Sequence, residues 1–262
     1  MYNYPLALLP ERNHKPRQAG INMVMDKGLS LREAQDFVDV SGELTDFVKL
    51  GFGTSLVTPG VKEKIKVYQH AGIKVYVGGT LFEAFLIRDQ FDEYRKYISG
   101  LGLDAVEISD GSMQIEHESK CEYICQLAKD FTVLSEVGSK EAGILIAPHR
   151  WIEMMVSELK AGSFKVIAEA RESGTVGIYR PNGKAHTALI HKILTSVDKD
   201  DIIWEAPLKS QQVWFVQQFG ANVNLGNIAP NEVIPLETVR LGLRGDTFFS
   251  FLPKSLKKLR IE

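Results

Sequence analysis

Short apolar, β-branched runs recur eight times along the chain, and each stops abruptly at glycine together with acidic, basic or hydroxyl residues. They are Ile21–Gly28, Asp46–Ser55, Lys74–Glu83, Ala105–Ser112, Thr132–Lys140, Lys165–Gly174, Asp201–Pro207 and Asn222–Ile228. Between them apolar residues fall at i, i+3, i+4 and i+7, as in Cys121, Ile124, Cys125 and Ala128 or Ile152, Met155, Val156 and Leu159, which predicts amphipathic helices. Ser30 followed by Glu33 has the form of a capping box, and Pro59, Pro148 and Pro230 stand where helices should start. The strand cores are apolar on both faces, as in parallel strands covered by helices. Eight β-then-α units predict a (β/α)₈ TIM barrel, an α/β fold.

Alternation alone also suits an open, doubly wound sheet. The glycine pattern weighs against its dinucleotide-binding form, because Gly51-Phe52-Gly53 is followed by Leu56 where a third glycine or alanine belongs. The length of 262 residues matches the roughly 250 of one barrel. The expected division is an irregular arm over 1–20 with Pro5, Pro10 and Pro16, a barrel over 21–252 and a short basic tail over 253–262.

Composition narrows the function classes. Lys and Arg number 31 against 33 Asp and Glu, a formal charge of −2, so nothing advertises nucleic acid or a membrane surface. No stretch has the roughly 18 apolar residues of a membrane span, and the N-terminus lacks a leader pattern, which predicts a cytoplasmic protein. Cys121 and Cys125, at i,i+4, are poor disulfide partners and are expected to pack in an apolar stripe. The six histidines form no zinc pattern, and no nucleophile elbow, phosphate-binding loop or kinase signature occurs.

Charges inside strands are the informative exception, since a buried ionised group needs a partner. Lys49, Glu107, Glu136, Glu169, Arg171 and Glu205 are such charges, and they gather at the strand ends where barrels place their sites. Buried ion pairing would explain any one of them; the opposite strand ends show no comparable enrichment. Several carboxylates around one cavity suit a hard cation, most simply Mg²⁺. Lys27, Lys49, Lys140, Arg171 and Arg244, with turns carrying Thr54, Ser55, Thr80, Ser173 and Thr175, suit a small anionic substrate. Residue chemistry points to metal-assisted chemistry on a phosphorylated or carboxylated metabolite, by way of an enolate.

The strings DKG, DFVKLGFGTS, GGTLFE, EISDGS, LSEVGSK, EARESG, WEAP followed by SQQ, NVNLGNI and LRGDT resemble the phosphosulfolactate synthase family over about residues 16–250. The resemblance implies a TIM-barrel lyase that adds sulfite to phosphoenolpyruvate with Mg²⁺, giving (2R)-phospho-3-sulfolactate, the first step of one coenzyme M pathway. It implies a general acid at Lys140, and position and charge set Glu136 and Arg171 beside it as further expected catalytic residues. Glu136, Glu169 and Glu205 are the expected metal ligands. Lys27, Lys49, Thr54, Ser55, Arg171, Ser173 and Arg244 are the expected substrate contacts, and Asp26 and Lys27 are expected to pair across the mouth. Val137-Gly138-Ser139-Lys140 departs from the family's doubly basic run by one lysine. A homo-oligomer is in keeping with the resemblance. The alternatives are a Mg²⁺-dependent aldolase or lyase on another phosphorylated enolate precursor, and a non-catalytic, stress-associated barrel like the family's plant relatives.

Overall fold

A computed structural model describes residues 3–138 and 146–259. The β-branched cores form eight parallel strands: β1 (Asn22–Asp26), β2 (Phe47–Leu50), β3 (Lys74–Val77), β4 (Ala105–Ile108), β5 (Thr132–Val137), β6 (Lys165–Ala168), β7 (Ile202–Glu205) and β8 (Leu225–Ile228). Their hydrogen-bonded order is β3-β2-β1-β8-β7-β6-β5-β4, and β3 and β4, at its two ends, lie side by side. The sheet is thus a nearly closed (β/α)₈ TIM barrel, built on one core. The join between β1 and β8 closes a ring from opposite ends of the chain.

Helices α1 (Leu31–Ser41), α2 (Val61–His70), α3 (Gly79–Leu86), α4 (Phe91–Leu101), α5 (His117–Leu127), α6 (Pro148–Ala161), α7 (Thr187–Ile193), α8 (Lys209–Phe219) and α9 (Val233–Arg240) wrap the sheet, and α10 (Lys254–Lys257) follows. Both halves of the capping box form: the Ser30 hydroxyl accepts from the Glu33 N–H, and the Glu33 carboxylate accepts from the Ser30 N–H. Pro148 opens α6 and Pro230 opens a 3₁₀ turn before α9, whereas Pro59 precedes α2 by two residues. Among the described residues no helix is long and apolar enough to cross a membrane.

Two apolar layers share each strand. Outward residues such as Val48, Val75, Val106, Val166 and Trp204 meet the helices, while Met23, Phe47, Tyr76, Ala105, Leu134, Ile167 and Ile203 fill the barrel interior. Full burial of each such large side chain contributes about 1.5–3 kcal/mol. Two expectations about packing change. The stripe of α5 runs through Lys120, Ile124 and Leu127, leaving Cys125 exposed and Cys121 half-buried. The strand-start end of the barrel, expected to be poor in charge, holds a buried network supplied from outside the strands.

In that network Arg12, from the N-terminal arm, pairs with Glu237 of α9 at 2.9 Å and donates to the Ala221 carbonyl. Arg240, fully buried, donates to the carbonyls of Ala221 (2.6 Å) and Val223 (2.8 Å) and to Asn22 Oδ1 (2.8 Å). Arg17 holds Asp46 at 3.0 Å, and the second Asp46 oxygen accepts the Asn22 N–H. Lys15 donates to the carbonyls of Gly42 and Ala71. The arm is irregular in backbone but stitched to the barrel floor by its basic side chains.

Candidate active site

Period-two alternation places a second layer directly above the interior apolar one. Two residues beyond Phe47, Ala105, Leu134, Ile167 and Ile203 stand Lys49, Glu107, Glu136, Glu169 and Glu205, all buried. Among the described residues one ammonium therefore faces four carboxylates at the C-terminal ends of the strands. Lys49 Nζ lies 2.8 Å from Glu107, 3.5 Å from Glu136 and 3.8 Å from Glu205.

Each carboxylate is oriented by local backbone. Glu107 accepts the Gly79 N–H at 2.6 Å, so the first turn of α3 reaches across the β3–β4 seam to it. Glu169 accepts the Arg171 N–H at 2.6 Å, and Glu205 accepts the Ala170 N–H at 2.9 Å. The Tyr179 hydroxyl donates to the Glu205 carbonyl at 2.7 Å, fixing the end of β7. Gly138, at φ +141°, lets β5 end against Glu169: a Cβ there would lie 2.5 Å from the Glu169 Cβ.

The electrostatics are lopsided. Burial alone would push the Lys49 ammonium down, but Glu107, Glu136 and Glu205 outweigh it and hold that group well above its ordinary value. Burial pushes the Glu205 carboxyl up to about 7; Lys49 opposes this and Glu136 adds to it. Glu107 is raised by burial likewise, against the pull of Lys49. Among the described residues Lys49 is the ammonium that reaches this cluster, and added positive charge relieves the repulsion between its carboxylates. Oxygens of Glu136, Glu169 and Glu205 lie within 4.8 Å of one another, the donor set of a hard cation. These three residues fit Mg²⁺ by chemistry, burial and charge.

The cluster forms the floor of a cavity of about 390 Å³, whose walls include Met25, Phe52, Gly78, Thr80, Arg171, Glu172, Ser173 and Asn227. Of the expected site residues, Lys49, Glu136, Glu169, Glu205, Arg171 and Ser173 are brought together here. Lys49, expected to clamp an anion, is instead held by carboxylates. Thr54 and Ser55 do not line the cavity: the Thr54 hydroxyl donates to the Gly51 carbonyl, and Ser55 is buried and accepts from Tyr97. Arg244 stands apart in a turn just past α9, near Asp246. Lys27 pairs across the mouth with Glu172 rather than Asp26, which instead accepts from Lys64 (2.7 Å), Tyr68 (3.0 Å) and the N–H groups of Gly28 and Leu29. Lys140 lies outside the described residues.

The family described as (2R)-phospho-3-sulfolactate synthase (ComA) matches residues 10–246. The chain belongs to this family. It is 46% identical over 238 residues to phosphosulfolactate synthase of Methanocaldococcus jannaschii, covering 88% of this chain and 94% of that one. It is 41% identical over 244 residues to the Bacillus subtilis phosphosulfolactate synthase, covering 92% and 97%. The chain is accordingly an enzyme of this kind. Among solved structures, 3-hexulose-6-phosphate synthase from Salmonella typhimurium superposes with a TM-score of 0.54 at 15% identity, covering 86% of this chain and all of that one. At that identity the likeness is one of fold.

Glu107, which holds Lys49, and Asn227, on the cavity wall, were given no site role in the sequence. Glu107 stood among the strand charges, and its position two residues past Ala105 was the signal that it joins Lys49. Asn227, inside the string NVNLGNI, gave no such signal.

Proposed function

We propose that this enzyme joins sulfite to phosphoenolpyruvate, giving (2R)-phospho-3-sulfolactate, with Mg²⁺ held by Glu136, Glu169 and Glu205. The observation that carries this reading is the buried group of three carboxylates beside an exposed arginine, in a chain of this family. Sulfite sulfur attacks C3 of phosphoenolpyruvate. The electron pair of the C2–C3 double bond moves through C2 into the carboxylate, and one proton added at C2 completes the product. A bound Mg²⁺ supplies positive charge where negative charge develops on the carboxylate.

The protein's own residues supply position and charge. Arg171 and Ser173, on the loop after β6, offer a planar donor fork and a hydroxyl to the phosphate or sulfonate oxygens. Glu107 keeps Lys49 charged and in place, and Lys49 restrains the mutual repulsion of Glu136 and Glu205. Lys140 is the candidate donor of the proton to C2. Mass spectrometry of a mixture of enzyme, phosphoenolpyruvate and sulfite tests the reaction. The expected result is a sulfonate adduct that forms with Mg²⁺ and is lost on chelation; no adduct under any metal condition sinks the proposal.

A further inference from the structure

The β1–β8 join contains an irregularity at the edge of the cavity. Asn22 pairs with Leu225 and Val24 with Ile228, so two steps along β1 are matched by three along β8. One extra residue is thus accommodated in β8, the arrangement of a bulge, which re-aims a side chain at the cost of regular pairing. Asn227 occupies the irregular stretch with φ +55°, a left-handed conformation that asparagine adopts more readily than most residues. Glycine gives the strand clearance just before it: a Cβ on Gly226 would lie 2.6 Å from Met23 Cε and 3.0 Å from Ile203 Cγ2, and both side chains would have to shift.

The bulge delivers a polar side chain to the cavity wall without a hydrogen-bond partner among the described residues. Asn227 is 8% exposed, its Oδ1 has no hydrogen bond, and none is found for its Nδ2 among the described residues. A buried amide left unsatisfied is costly, and such groups in folded proteins generally await a water, an ion or a ligand. Its place is specific: Gly226 pairs with Glu205, so Asn227 adjoins one of the three candidate cation ligands, and Met25 of β1 lines the cavity on the other side. A neutral amide can donate to an oxyanion beside carboxylates without adding charge of either sign.

We infer that Asn227 is a substrate-recognition residue, whose amide donates to a carboxylate or phosphate oxygen of the substrate next to the cation site. The inference rests on the reading of the cavity as a site for a small phosphorylated acid, but not on turnover. Calorimetric titration of phosphoenolpyruvate into the whole protein at saturating Mg²⁺ tests it, comparing wild type with Asn227→Gly, which accepts the left-handed backbone and removes the amide. Affinity should fall about tenfold or more, while Mn²⁺ affinity without phosphoenolpyruvate stays within about twofold. Asn227→Asp, of the same shape, should lose roughly a hundredfold, because a carboxylate then faces the oxyanion. Wild type that forms no sulfonate but still binds phosphoenolpyruvate more tightly than Asn227→Gly keeps the inference and drops the reaction. Equal affinity in the two proteins, including none in either, overturns the inference. So does a loss of Mn²⁺ affinity in Asn227→Gly as large as the loss for phosphoenolpyruvate, which would make the amide a cation ligand.

Discussion

The two ends of this barrel both bury charge, and they do so by opposite rules. At the strand starts, guanidinium groups outnumber carboxylates and spend their donors on main-chain carbonyls: Arg240 alone serves Ala221, Val223 and Asn22, and Arg12 joins Ala221 to Glu237. At the strand ends, among the described residues, four carboxylates crowd one ammonium. The floor pairs most of its buried donors with acceptors, Arg240 Nε being left over, and serves stability. Among the described residues the rim carries more carboxylates than cations, which raises the cost of ionising them in a buried site.

The largest effect should come from the floor. Arg240→Met strands two buried acceptors, the Val223 carbonyl and Asn22 Oδ1, and is expected to lower unfolding free energy by about 3 kcal/mol or more, read by chemical denaturation. Mn²⁺ affinity of the folded protein should stay within about twofold of wild type; a large loss would mean that the two ends are not separable.

Glu205→Gln should act the other way round. Mn²⁺ affinity should fall roughly a hundredfold, about 2.7 kcal/mol. The cation-free protein should become more resistant to denaturant at neutral pH and above, because the cost of a carboxyl raised to about 7 by burial grows as pH rises past its unfolded value and is complete above about 7. Lower stability in that variant would show that the rim is balanced after all.

The smallest of the three effects sharpens the floor. Burial raises the Asp46 carboxyl above its ordinary value, and Arg17 opposes the rise. A carboxyl whose folded value exceeds its unfolded one binds more protons when folded, so its cost appears as pH rises above the unfolded value near 4. Arg17→Met raises that folded value further. It should therefore destabilise by about 1–2 kcal/mol at pH 7 and by less at pH 4; an equal loss at both would mean that the guanidinium contributes packing rather than charge.

The rim was legible in the sequence because strand periodicity is rigid. An apolar residue followed two positions later by a charge, repeated in Leu134–Glu136, Ile167–Glu169 and Ile203–Glu205, can only stack a charged layer on an apolar one. The floor was not legible, because its charges come from an arm and a helix with no such period: Arg12 and Arg240 are 228 positions apart and meet only when the ring closes. Arg244 and Thr54 show the limit of inferring a site from charge or hydroxyl near a turn, since chain direction beyond a strand end is not fixed by the strand. Asn227 shows another: a bulge is a property of two paired strands, and one of them cannot announce it.

The seam between β3 and β4 gives the barrel an unexpected division of labour. Its most distant neighbours in the chain, β1 and β8, are sewn by main-chain bonds, while two consecutive strands meet with a side chain, Glu107, as their clasp at the rim. That clasp is the same carboxylate that anchors Lys49. The structural weld and the electrostatic keystone are thus one functional group, so a substitution there cannot alter the chemistry without also loosening the cylinder.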